Sequence, residues 1–462
     1  MSDVTYQAQP PLEFIPPAFN PLFLRFVHLF LPSYINWQTA IAQIEADNVE
    51  ILAEQYRQFQ EGKIRFMLAF RHPKTEDPLC LGYLFSQLVP KVAREKGIGL
   101  QSPVHAHAIY DRGIPLWAGN HVGWIASHLG GTPIQRGKAD WNGLRSARDL
   151  FANGKFPMAA APEGATNGLS ELISPLEPGI AQLGFWCAED LQKAGRSEQV
   201  LIVPVGIKYS YVDAPWSAIA QLLTELEAAS GLPVNAAGDS NPSLESLYPR
   251  LLGLAEHLLS IMEKFYTRFY HQKLTDHQNT SGDISDRNAA LAARLQAVLN
   301  VALQISEQYF DLPPKGQLND RCRRVEQAAW NYIFREDFKD LTALSSIEKA
   351  LGDRIAEEAN SRMWHMRLVE SFVAVSGNYI KAKPTVERFA ETTLLLRDMV
   401  NKIQGGNPLQ RPQLGKQKVK LTVGAPISVS ERYSAYKGNR LAAKQSVIDL
   451  TNDLQQALEG LI

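Results

Sequence analysis

Phe66–Pro78 reads FMLAFRHPKTEDP, and the fold class follows from how this stretch changes character along its length. It opens as a continuous apolar run, Phe66 to Phe70, the pattern of a strand buried on both faces. The strand is expected over 64–70. Pro73 breaks it into a loop that ends at Asp77-Pro78. Asp followed by Pro predicts a helix start, with Asp77 as N-cap and Pro78 at the first helical position. Leu79, Leu81, Leu84, Leu88 and Val92 then recur at helical spacing, which predicts a helix over 79–95. His72 and Asp77 therefore share one strand-to-helix loop. In an open α/β sheet such loops lie at the carboxyl edge of the strands, where ligands bind.

The chemistry that suits the pair is general-base catalysis. One imidazole nitrogen takes a proton from an attacking hydroxyl. The other donates its N–H to a carboxylate that fixes the tautomer and stabilises the imidazolium. The plainer reading is a loop His beside a helix-capping Asp. Spacing alone does not separate the two, because His271 to Asp276 repeats it after a helical segment. The strand-loop-helix setting distinguishes the first pair.

The remainder of the chain extends the βα pattern. Val104–Tyr110, Thr132–Gln135, Phe156–Ala161 and Gln199–Tyr209 read as strands. Gly119–Leu129, the segment after Asp140 and Pro178–Ala194 read as helices. Residues 1–20 are Pro-rich and extended, and 38–62 read as helical. From about 212 to 416 long helical patterns alternate with polar tracts. At Lys418 a β pattern returns as KVKLTVGAPI, followed by one amphipathic helix. A lone strand and helix need a sheet to join. The expected class is therefore α/β, with a mixed, largely parallel sheet flanked by helices and a large, mostly α-helical insertion. The expected boundaries are an N-terminal segment 1–62, a core at 63–211, the insertion at 212–416 and the core's final strand and helix at 417–462.

Composition sets limits. Over 462 residues the formal net charge is −1, so no overall basic field suits nucleic acid. Cys80, Cys187 and Cys322 form no CxxC pair, so neither a disulfide framework nor a zinc site is expected, and a reducing, cytoplasmic compartment is the default. No spanning helix is expected. Within Pro21–Trp37, the residues Phe23, Phe26, Val27, Phe30 and Leu31 share a helical face. That face either packs on the domain or rests on a membrane surface with Arg25, Tyr34 and Trp37 near the headgroups.

In order, His72-x4-Asp77, Arg136 after the Gly-rich turn at Gly131, Pro162-Glu163-Gly164 and Val203-Pro204-Val205 resemble the motifs of PlsC-type glycerolipid acyltransferases. The resemblance covers about 60–210 and 417–462. It implies transfer of a fatty acyl group from a thioester carrier, coenzyme A or acyl carrier protein, to a lysophospholipid hydroxyl at a membrane surface. Phosphatidic acid made from 1-acylglycerol 3-phosphate is the leading case. The resemblance implies no cofactor or metal beyond that acyl-carrier co-substrate. It makes His72 the base and Asp77 its orienting partner. It makes Arg136, with Lys138 two residues on, the contact to an anionic acceptor head. Glu163 and Gly164 would hold the acceptor's glycerol part, and Pro204 would shape the acyl site. Two positions depart from the family pattern: Arg71 stands in place of Asn, and Ala165-Thr166 in place of Thr-Arg. Either Arg136, Lys138 or Arg71 carries the phosphate, or the acceptor is a neutral or differently headed lipid. A non-catalytic lipid-binding protein on the same fold is the remaining alternative.

Other chemistry-bearing residues read as structural. Cys80 reads as a small buried helix residue, and His105 and His107 as a pair on one strand face without a third metal ligand. Arg321, Arg323 and Arg324 read as a solvated helix face.

Overall fold

The computed structural model describes residues 7–135, 140–234, 241–274, 284–340, 342–372, 379–406 and 410–462. It divides into two units. One comprises Glu13–Val212 with Lys416–Ile462, and the other the N-terminal residues through Leu12 with Asp213–Gly415.

The first unit is α/β. Its strands are β1 (Ile41–Asp47), β2 (Ile64–Phe70), β3 (His107–Asp111), β4 (Thr132–Ile134), β5 (Met158–Ala160), β6 (Gln199–Tyr211), β7 (Gln417–Val423) and β8 (Ile427–Ser428). Among the described residues they form one eight-stranded sheet in the order β1-β7-β6-β2-β5-β3-β4, with β8 also on β6. β6 pairs antiparallel with β7 and β8, and the remaining pairings are parallel. Every residue of β2 is buried, as its unbroken apolar run requires of a central strand covered on both sides.

The period of two along the strands feeds two separate cores. Phe66, Leu68 and Phe70 of β2, with Val205, Ile207 and Tyr209 of β6, join Leu52, Tyr56, Cys80 and Leu84 on one face. Met67 and Ala69, with Val200 and Ile202, join Phe151, Phe185 and Leu450 on the other. Pro204 sits inside β6, opposite Ala69 of β2. Its carbonyl accepts from Gly424 N–H at 2.9 Å. The missing Pro N–H therefore faces the turn between β7 and β8, where no ladder bond is needed.

Three local expectations are corrected. The span 38–62 is not one helix: Ile41–Asp47 is β1, running beside β7, and the helix is Val49–Gln60. Ile41 and Ile44 stand three residues apart, so the apolar pattern ran on into that of the following helix. The helix expected over 79–95 runs as Asp77–Tyr83, a π-helical turn Leu84–Leu88, and Val89–Glu95. Pro90 cannot donate to the carbonyl four residues back, and the wider turn before it accommodates that loss. Asp77 is not the N-cap. Glu76 holds that position, and Asp77 lies in the first turn with its carboxylate free for other partners.

The second unit is built from helices Trp216–Ser230, Leu244–Tyr270, Ile284–Tyr309, Leu318–Ile333, Ser346–Glu370 and Val386–Ile403. The Arg321–Arg324 cluster is not a solvated face. Arg321 is buried and forms two 2.7 Å bonds to Glu307. Arg323 bridges Glu326 and Glu370. Arg287–Tyr309 is long and apolar enough to cross a membrane by length and composition, which the search for an unbroken apolar run did not find.

Candidate active site

β2 ends at Phe70, and the loop that follows is fixed by four sets of hydrogen bonds before it enters the helix at Asp77. Arg71 N–H donates to Val205 O at 3.0 Å, extending the β2–β6 ladder by one residue. The Arg71 side chain is fully buried. Its guanidinium donates to the carbonyls of Leu169, Ser170 and Leu172, pinning the segment after Asn167. Arg71 is thereby corrected as a phosphate ligand: it is spent on backbone carbonyls inside the fold.

His72 N–H donates to Glu163 Oε1 at 2.9 Å. Glu163 is 2% exposed. Its other oxygen accepts from Ser174 N–H at 2.9 Å and Asn167 Nδ2 at 3.2 Å. Glu163 thus ties the His72 loop to the loop after β5, and its carboxylate is turned inward. Gly164 has φ +71, and a Cβ there would lie 2.3 Å from Glu177 Oε1, so the turn demands glycine. Gly168 N–H donates to Pro73 O at 3.0 Å, closing the same contact from the other end.

His72 and Asp77 meet. Nδ1 lies 2.9 Å from Asp77 Oδ2. A carboxylate only accepts, so Nδ1 carries the hydrogen and Nε2 is left as the basic nitrogen. Asp77 is fully buried, while the His72 side chain is 22% exposed, which leaves the ring within reach of a substrate. Lys74 N–H donates to Asp77 Oδ2 at 2.8 Å, and Tyr209 Oη donates to Oδ1 at 2.5 Å. Three donors converge on one buried carboxylate, so its oxygens are held in a fixed direction toward His72. Burial, and then the charge on Asp77, hold the Tyr209 phenol well above its ordinary value, so it stays a donor. Lys74 Nζ lies 4.3 Å over the Tyr209 ring and donates to Gln417 Oε1. The Phe70 ring meets the His72 ring edge to face at 5.8 Å.

Sequence reasoning missed Tyr209 and Asn167. The signal for Tyr209 was the period of two in β6, which puts it on the face of Val205 and Ile207 over the helix that begins at Asp77. Arg136 and Lys138 lie outside the described residues, as does Asp276 of the second His-x4-Asp spacing. Thr166 is exposed, and Pro204 is buried in β6.

Cys80 lies 3.7 Å from Tyr209 Oη, and burial followed by the Asp77 charge pushes its thiol up to about 12. It is a poor nucleophile. His105 and His107 contact the Leu129 and Gly130 carbonyls at 2.8 and 2.9 Å, and burial lowers both rings. Among the described residues no group of three or more His, Cys, Asp or Glu is placed to hold a metal ion.

Comparison with protein-family models gives no match, and comparison with curated protein sequences gives none either.

Proposed function

We propose that this protein is an O-acyltransferase that moves a fatty acyl group from a thioester carrier to the free hydroxyl of a lysophospholipid. On this reading 1-acylglycerol 3-phosphate is the leading acceptor and phosphatidic acid the product. The α/β unit is then a glycerolipid acyltransferase-like fold, and 213–415 is a helical insertion within it. The observation that carries the reading is the His72–Asp77 contact: a partly exposed imidazole backed by a buried carboxylate, on a loop at the carboxyl edge of a mostly parallel sheet.

In the proposed reaction the acceptor hydroxyl gives its proton to His72 Nε2 as its oxygen bonds to the thioester carbonyl carbon. Asp77 stabilises the resulting imidazolium through Nδ1–H. The tetrahedral intermediate collapses, the C–S bond breaks, and His72 returns the proton to the leaving thiolate. Glu163, Asn167 and Arg71 hold the two loops that aim the pair. Glu163 and Gly164 enter as positioning residues in place of the expected direct contacts to the acceptor.

The helix Pro21–Gln38 supports a peripheral membrane site. It buries Leu24, Leu31 and Ile35 and leaves Leu22, Phe26, Leu29, Phe30 and Trp37 each at least half exposed. One helix thus serves both packing and an outward apolar stripe. Of the face named from the sequence, Leu31 is buried, while Phe26 and Phe30, their ring centroids 4.6 Å apart, lie on the outer side.

A second reading, a neutral or differently headed acceptor, is favoured by the burial of Arg71 and by Thr166 in place of Arg. Purified protein assayed with an acyl thioester against a panel of acceptors separates these readings. His72→Ala is expected to lower turnover by roughly 10²–10⁴-fold, and Asp77→Asn to leave only a small residual rate. Near-normal turnover in folded His72→Ala would end the assignment.

A further inference from the structure

Lys74 lies in the loop between β2 and the helix at Asp77, and it reaches the Asp77 carboxylate by two routes. Its backbone N–H donates to Oδ2 at 2.8 Å. Its ammonium lies 4.3 Å from the centroid of the Tyr209 ring, and the hydroxyl of that ring donates to Oδ1 at 2.5 Å. One residue therefore bears on both oxygens of the carboxylate that holds His72 Nδ1.

A lysine side chain is rotationally free, and its head group ordinarily stays in water. Here the ammonium is held in place, because Nζ donates to Gln417 Oε1. Gln417 is itself only 8% exposed. Its N–H donates to Ala40 O at 2.8 Å, and it stands opposite Ile41 of β1 and Tyr211 of β6. The first residue of β7 thus sets the ammonium over the ring.

A cation within about 6 Å of an aromatic face is drawn to the ring's electron density. In a phenol, that pull makes the O–H a stronger donor. The contact to Cys80 acts in the same direction. The Tyr209 hydrogen is committed to Asp77, so at 3.7 Å the Cys80 thiol is the donor and Tyr209 Oη the acceptor. A hydroxyl that accepts a hydrogen bond donates its own more strongly. Tyr209 is 1% exposed, and few competing water contacts weaken either effect.

We propose that Lys74 is a positioning residue for the His72–Asp77 pair, acting through the Tyr209 ring with Gln417 as its anchor. Its role in turnover rests on the transfer reaction proposed above, whereas the polarisation of Tyr209 does not.

Lys74→Met keeps a long side chain against the ring and removes the charge. Lys74→Arg restores a cation that stacks on aromatic faces. Infrared spectra of the full chain carrying isotope-labelled tyrosine read the Tyr209 phenol C–O stretch, with Tyr209→Phe identifying the band. The band is expected to move in Lys74→Met and to return toward its original position in Lys74→Arg. In acyl-transfer assays Lys74→Met should lower kcat about two- to fivefold, the range of a cation–π contact of ordinary strength, with KM for both substrates unchanged. That loss should vanish in the Tyr209→Phe background, because the two residues act in series. A Tyr209 band that stays in place in Lys74→Met overturns the proposal, and so does an equal loss of kcat with and without the Tyr209 hydroxyl. A band shift in a protein that turns over no acyl thioester supports the link from Lys74 to Tyr209 and ends the transfer reading instead.

Discussion

Tyr209 Oη donates a hydrogen bond to Asp77 Oδ1 at 2.5 Å across 132 residues of sequence. It joins the end of β6, the longest strand described, to the first turn of the helix after β2. The bond makes the Asp77 carboxylate depend on a strand whose Val205 carbonyl also holds the Arg71 N–H beside His72.

Tyr209→Phe keeps the ring under Lys74 and removes only the hydroxyl. The expected result is a fall in turnover of about tenfold, from loss of one net hydrogen bond, with little change in the Michaelis constant for either substrate. Steady-state kinetics check it. An unchanged rate would mean that the other two donors suffice to hold Asp77.

Arg71 and Arg136 are expected to separate cleanly. Arg71→Met leaves several carbonyls without their donor, so it should cost stability on the order of 3 kcal/mol and leave the acceptor's Michaelis constant unaltered in the folded fraction. Arg136→Ala should instead raise that constant roughly ten- to a hundredfold for a phosphate-headed acceptor. Denaturation curves alongside acceptor kinetics distinguish the two.

His365 sets an acid limit. It is fully buried between the Tyr266 and Tyr270 hydroxyls at 3.0 Å each, and burial lowers its pKa to about 4. Below the ordinary value of about 6.5 the unfolded chain binds a proton that the folded chain does not. Stability is therefore fully present above pH 6.5 and declines as the pH falls toward 4, by on the order of 3 kcal/mol. Urea unfolding at pH 7, 6 and 5 should show the decline, and His365→Gln should flatten it.

The exposed side of Pro21–Gln38 gives a fourth expectation. Phe26→Glu combined with Leu29→Glu removes two side chains that each gain about 1.5–3 kcal/mol on burial. Sedimentation with anionic vesicles should show binding weakened roughly a hundredfold. Retention of the wild-type level would move the membrane contact elsewhere.

Much of this arrangement was legible before any coordinates. The apolar run at β2, the loop from Arg71 to Glu76 and the returning β pattern after Lys418 each depend on neighbours close in sequence, so local pattern was enough to place them. β1 escaped because, among the described residues, it lies at the sheet's margin with only β7 beside it, and Ile41 and Ile44 continue the helical spacing of Val49 and Leu52. The buried guanidinium of Arg71 and the inward carboxylate of Glu163 escaped for another reason. The carbonyls that Arg71 meets lie about a hundred residues away, as does the His72 N–H that Glu163 accepts, and a motif shows residue types without showing which way they turn. The basic run at Arg321–Arg324 misled similarly, since Glu307 and Glu370 sit on other helices.

The position of β7 bears on how the chain is made. β1 pairs with β7 alone, and β6 carries β7 along its outer edge. Ribosomes extend a chain at about 5–20 residues per second. The roughly 200 residues of 213–415 therefore keep both strand edges without a partner for about 10–40 s of synthesis. During that interval the nascent sheet offers open backbone donors and acceptors of the kind that recruit stray strands. Premature termination anywhere between Asp213 and Gln417 leaves it in that state permanently. Products truncated before β7 are thus expected to be substrates for holding chaperones and proteases, while a chain that extends through 417–423 fills the edge with its own strand.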